Sequence, residues 1–246
     1  MSTPRSLLTV FLAASCLAIQ AFPQQQDASV VFNFVWNQGN PAKYTVTVRK
    51  NGEAEYVSED RLTTPQERNV PVESNGERLA QAQDAAAEDA FHKKFQASEA
   101  LRQKVFELAE RTNYFSGQFD FTKHPIAQTG SKTLSYADSS HHSSATYNYS
   151  EDPSIQELTA IFQGISQTIE SGRKIEFDRR FDKLSLDQDL KGLEDLSNEG
   201  RLQEVQAIAP LLQRIAVDRT VMHIAQQRAE RILRKAGQPI APTSTD

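Results

Sequence analysis

The residues best suited to chemistry lie in one stretch, "DSSHHSSATYNY", from Asp138 to Tyr149. Imidazoles ligate transition metals and move protons near neutral pH. His141 and His142, with Asp138 in the same stretch and His124 upstream, form the candidate metal-ligand set. Their spacing argues against shared ligation, because neighbouring side chains on a strand face opposite ways. No H-x-x-x-H or H-E-x-x-H pattern occurs. The simpler reading is a solvated hairpin tip. The alternative is an enzyme or metal-binding protein whose site residues are dispersed around that tip. His92 and His223 stand alone and read as surface or interface residues.

Other chemistries lack their residues. There is no G-x-S-x-G elbow, and "QGIS" (163–166) falls inside an apolar helix pattern. The acidic runs "EDLSNEG" and "AAAEDA" read as solvated faces. No glycine-rich phosphate loop appears, so no cofactor is expected.

Two further constellations suggest recognition. From Pro210 to Gly237 there are six basic residues, including Arg228, Arg231, Arg234 and Lys235, against two acidic ones. From Leu184 to Gly200 there are five acidic residues and one basic. This asymmetry fits a docking surface for an acidic partner or anionic lipid. It equally fits two antiparallel helices with complementary charges. Trp36, with Tyr44, Tyr56, Tyr136, Tyr147 and Tyr149, falls on strand patterns. These aromatics either pack a sheet or offer a face for a glycan or peptide.

The elements that position these residues follow from periodicity. "SVVFNFVW" and "KYTVTVR" are β-branched and alternating, and Asn51-Gly52 supplies a two-residue hairpin turn. "FHKKFQ" reads as a short strand, and Ser98 as the cap of a helix over Glu99–Arg111 that ends through Gly117. "SKTLSYADSS" and "SATYNYS" form a second hairpin. Pro153 then opens a helix with a broad apolar face from Ile155 to Ile169. Beyond Gly172 only helical patterns occur. Pro210 is expected to break them, Asp218 to cap the last helix, and Val221, Ile224, Ala225, Ala229 and Ile232 to form its apolar face.

The expected fold class is α+β: a small antiparallel sheet packed with two helices, followed by an all-helical C-terminal region. The α+β part spans 28–171 and carries a polar insertion at 59–88. The helical region spans 172–237, and 238–246 is a disordered tail. "KYTVTVRKNGEAEYV", the helix "LRQKVFELAERTNYF" and the following hairpin together resemble a class of exported bacterial α+β domains of unknown function. In these a Y-x-V-x-V strand, an N-G turn and an E-Y strand precede a helix ending near two aromatics, here Tyr114 and Phe115. The resemblance implies export and this fold, and implies no activity.

The N-terminus agrees with export. Arg5 precedes an apolar run from Leu7 to Ala21, the pattern of a signal peptide over residues 1–21. The run is short for a membrane span. Cys16 is the only cysteine. Cleavage after Ala21 leaves a chain without disulfides, whereas lipidation at Cys16 is the alternative. The chain has a net charge of −5. Loss of Arg5 leaves 26 basic and 32 acidic residues, or −6. That balance disfavours nucleic acid as a partner. The expected role is a non-enzymatic one, through contacts with an envelope or extracellular protein.

Overall fold

The computed structural model describes residues 27–59 and 90–240. The expected signal peptide, the expected insertion beyond Glu59 and residues 241–246 of the expected tail lie outside the described residues. The fold is α+β. Six antiparallel strands form one sheet: β1 (Ser29–Val35), β2 (Lys43–Arg49), β3 (Glu53–Glu59), β4 (Phe91–Gln96), β5 (Ser131–Ala137) and β6 (His142–Tyr147). Their order is β4-β3-β2-β1-β5-β6. The first four strands form a meander, and the β5–β6 hairpin adds to the free side of β1.

Strict alternation sets the faces. Val30, Phe32 and Phe34 of β1 point inward beside Tyr44, Val46 and Val48 of β2, and all six are buried. The intervening Asn33, Thr45 and Thr47 are only half-buried, and Thr45 donates to Asn33 Oδ1 at 2.5 Å. Gly52 takes φ +95° in the β2–β3 turn, a conformation closed to most side chains.

Helix α1 (Glu99–Arg111) packs Leu101, Val105, Leu108 and Ala109 on the sheet. Ser98 Oγ caps it by accepting from Leu101 N. The helix has the bounds the sequence pattern implies, but it does not end through Gly117. The Thr112 hydroxyl donates to the Leu108 and Ala109 carbonyls, and Asn113, Tyr114 and Phe115 then all adopt positive φ. This left-handed turn is costly for residues with a Cβ. It drives Phe115 into the core and sets Tyr114 against Tyr136, with ring centroids 4.5 Å apart.

Helix α2 (Pro153–Phe181) connects two cores. Its first half, Ile155 to Ile169, packs on the sheet, where Phe162 stacks on Phe32 at 5.2 Å. Its second half places Ile175 among the C-terminal helices. The division proposed between residues 171 and 172 therefore falls within a continuous helix. Two glycines of α2 let the segment after α3 approach closely: a Cβ at Gly164 would lie 2.7 Å from Gln203 Cγ, and one at Gly172 2.5 Å from Ile208 Cγ2.

The remaining helices are α3 (Lys183–Asn198), α4 (Ala209–Val217) and α5 (His223–Lys235). Asp182 turns α2 into α3 and caps α3 by accepting from Leu184 N and Ser185 N. Pro210 sits in the first turn of α4, where its missing N–H costs nothing. Several expectations are corrected here. Asp218 does not cap α5. It binds Thr220 N and Oγ1, and α5 starts after Met222 with no side-chain cap. Ile224 is exposed, and Leu233 joins Ala225, Ala229 and Ile232 on the buried face. Gln238 to Ile240 are not a loose tail: Gln238 N donates to Leu233 O, Pro239 O accepts from Gln213, and Ile240 packs on the helical core.

Candidate binding cleft

The sequence-predicted metal set does not assemble. Asp138 and His141 meet, with His141 Nδ1 3.3 Å from the carboxylate. That carboxylate already accepts from Ser140 N, Ser140 Oγ, His141 N and the Tyr136 hydroxyl. These hydrogen bonds, led by Ser140 N–H, hold Asp138 well below the usual carboxylate range. His141 stacks on Tyr114 at 5.2 Å, and His142 is exposed as the first residue of β6. His124 meets Phe121 edge-to-face. Among the described residues no three His, Cys, Asp or Glu side chains form a group that could hold a metal ion. The turn accounts for the stretch through an Asx-type tip.

The basic residues of α5 are largely engaged within the fold. Arg228 Nε donates to Asp187 Oδ1 at 2.9 Å and its Nη1 to Glu194 Oε2 at 2.9 Å. Arg231 adds two hydrogen bonds to Glu194, and Lys235 donates to Asn198. Hydrogen bonds from Arg231 and then Arg228 hold the Glu194 carboxyl below its usual range. These pairs advance together along both helices, from 187 with 228 to 198 with 235. Helices α3 and α5 therefore run parallel, correcting the antiparallel arrangement expected from charge alone. α4 lies between them in sequence and makes the reversal. Of the four basic candidates on α5, only Arg234 is exposed without a side-chain partner among the described residues.

A basic cleft forms elsewhere, from residues that no sequence window brings together. It lies between β4, the middle of α2 and the start of α4. Lys93, Arg173, Arg180 and Arg214 line it together with the carboxylate of Glu176, and Arg173 also pairs with Glu170 at 3.5 Å. Its volume is about 420 Å³. The floor is apolar, from Ile169, Ile208 and Leu211.

Local structure explains each placement. Lys93 is on the same alternate set of β4 as Phe91 and Phe95, the set that packs toward the helices, and pairs in register with Tyr56. It has no hydrogen-bond or ion-pair partner among the described residues. Arg173, Glu176 and Arg180 repeat at helical spacing on α2 and so share one face. Arg173 lies over the Phe91 ring at 5.1 Å. Glu176 Oε1 accepts from Arg180 Nε at 2.9 Å, and its Oε2 accepts from Arg214 at 3.1 Å. Burial pushes the Glu176 carboxyl up, but Arg180, Arg179 and Arg214 outweigh that and hold it below its usual range. The Glu176 carboxylate thus holds the Arg180 and Arg214 guanidinium groups at the cleft, and each carries more N–H donors than its pair with Glu176 uses.

A separate apolar patch marks the α2–α3 turn. Phe177, Phe181 and Leu184 are 59%, 72% and 83% exposed, and the two phenyl rings lie 4.9 Å apart. Lys183 Nζ donates to Thr220 at 2.9 Å and joins this turn to the loop bearing exposed Met222. No helix of the described residues is long and apolar enough to cross a membrane. No protein-family model matches the chain, and no curated protein matches it.

Proposed function

We propose that this chain is an exported, non-enzymatic binding protein that recognises an acidic segment of an envelope or extracellular protein. Export rests on Arg5 and the apolar run Leu7–Ala21. Recognition rests on one observation: Lys93 stands beside the Arg180 and Arg214 guanidinium groups held on Glu176, above an apolar floor. Carboxylates on the incoming segment pair with Lys93 and with the Arg180 and Arg214 donors that Glu176 does not use, and an apolar side chain covers Ile208 and Leu211. The exposed Phe181 and Leu184 extend the contact area beyond the cleft.

The test uses the chain from residue 22 and the same chain carrying Lys93→Glu and Arg214→Glu. Both are exposed to envelope extract of the source organism and to a labelled peptide alternating Glu and Leu, with a Gln–Leu peptide as control. The reading requires a stoichiometric partner and Glu–Leu binding that both vanish in the reversed-charge chain and weaken with salt. Equal retention by both chains rules it out.

A further inference from the structure

We propose that a second cleft, between Trp36 and helix α2, binds a neutral oligosaccharide. The cleft holds about 1050 Å³ and follows α2 from Gln163 to Phe177. That span is 15 residues, whose ends lie about 21 Å apart along the helix, the reach of a chain of sugars rather than of one ring. Trp36 forms the opposite wall at the end of β1 and is 38% exposed.

The charged groups that line it are matched internally. Glu170 Oε1 accepts from the Tyr56 and Ser58 hydroxyls at 2.8 and 2.6 Å, and Oε2 faces Arg173 at 3.5 Å. Lys174 is held by Asp178 and Asp189, and Arg201 by Glu199. The groups left open are neutral. The side-chain amides of Asn40, Gln163 and Gln167 and the Trp36 indole N–H have no partner among the described residues. Amides separated by one helical turn offer paired donors and acceptors to vicinal hydroxyls, while an open indole face takes the C–H face of a sugar ring.

An extended peptide fits less well. The strands bordering the cleft are β1 and β2, both interior to the sheet, so no free edge there can add a peptide strand. An anionic ligand finds no unpaired cation among these groups.

Trp36 is the only tryptophan of the chain, so intrinsic fluorescence reports this cleft alone. Tetrasaccharides of β-1,4-glucose, β-1,4-N-acetylglucosamine, β-1,4-xylose, α-1,4-glucose and α-1,6-mannose are titrated into the chain from residue 22. At least one is expected to give a saturable shift, equal at low and high salt. The Gln163→Ala/Gln167→Ala chain, which keeps Trp36 and gains helix propensity, is expected to bind it about tenfold more weakly. No saturable shift across the panel overturns the proposal. So does unchanged affinity in the double variant, or a saturable shift given only by neutral tetrapeptides. Charge reversal at Lys93 and Arg214 leaves this cleft intact, so the two sites fail or succeed separately.

Discussion

Glu204 and Ser98 are 106 residues apart and bound twice: Ser98 N donates to Glu204 Oε2 and Ser98 Oγ to Glu204 Oε1, each at 2.7 Å. The same Ser98 Oγ accepts from Leu101 N to cap α1. A buried carboxylate from the segment between α3 and α4 therefore anchors the start of a sheet-packed helix, where the helix dipole favours negative charge. Glu204 itself adopts φ +56° to reach this position.

Glu204→Ala should destabilise the chain by about 1–3 kcal/mol in urea titrations, since it leaves Ser98 N–H without its acceptor in a partly buried site. A double-mutant cycle with Ser98→Ala should show coupling of about 0.5–3 kcal/mol. Additive losses would mean the contact is structurally incidental.

Asp178 is buried beside Asp189 and Lys174. Burial and the Asp189 contact raise its pKa. The folded state thus binds a proton that the unfolded state releases earlier. The associated stability is complete below the ordinary aspartate pKa and is lost as pH rises through the raised value. Asp178→Asn should remove that loss, so its melting temperature relative to the unsubstituted chain should climb from acid toward neutral pH. A constant difference would refute the assignment.

Glu194 behaves with the opposite sign. Arg231 and Arg228 lower its pKa, so its contribution is present above the ordinary glutamate range and lost as pH falls through the lowered value. Glu194→Gln should flatten part of the acid limb. It should also cost about 1–3 kcal/mol at neutral pH, because Arg228 is only 15% exposed and loses a charged partner.

Divalent metals should leave the melting temperature unchanged, because the Asp138 carboxylate is already occupied by its four neighbouring donors. A large stabilisation abolished by His141→Ala and His142→Ala in a thermal-shift titration would restore the metal reading.

Phe181→Ser and Leu184→Ser should change stability by less than about 0.5 kcal/mol, given their exposure. If the patch contributes to partner contact, the same chain should hold its partner less tightly at unchanged melting temperature.

Local patterns determined the elements of this protein. Alternation in "KYTVTVR", the Asn51-Gly52 turn, the Ser98 cap and Pro153 at the head of α2 are all short-range signals, and each element they mark is present. The bounds of α1 were legible but not what ends it: Gly117 looked like the stop, yet a left-handed turn over Asn113–Phe115 ends the helix and buries Phe115. The charge contrast between α3 and α5 was legible as well, but not its parallel sense, since complementary charge does not encode direction. The basic cleft was invisible, because Lys93, Arg173 and Arg214 are 80 and 41 residues apart and meet only when β4, α2 and α4 pack. The open indole of Trp36 has the same origin. Sequence marks an aromatic on a strand, while only tertiary packing decides which rings are covered and which are left facing a cleft.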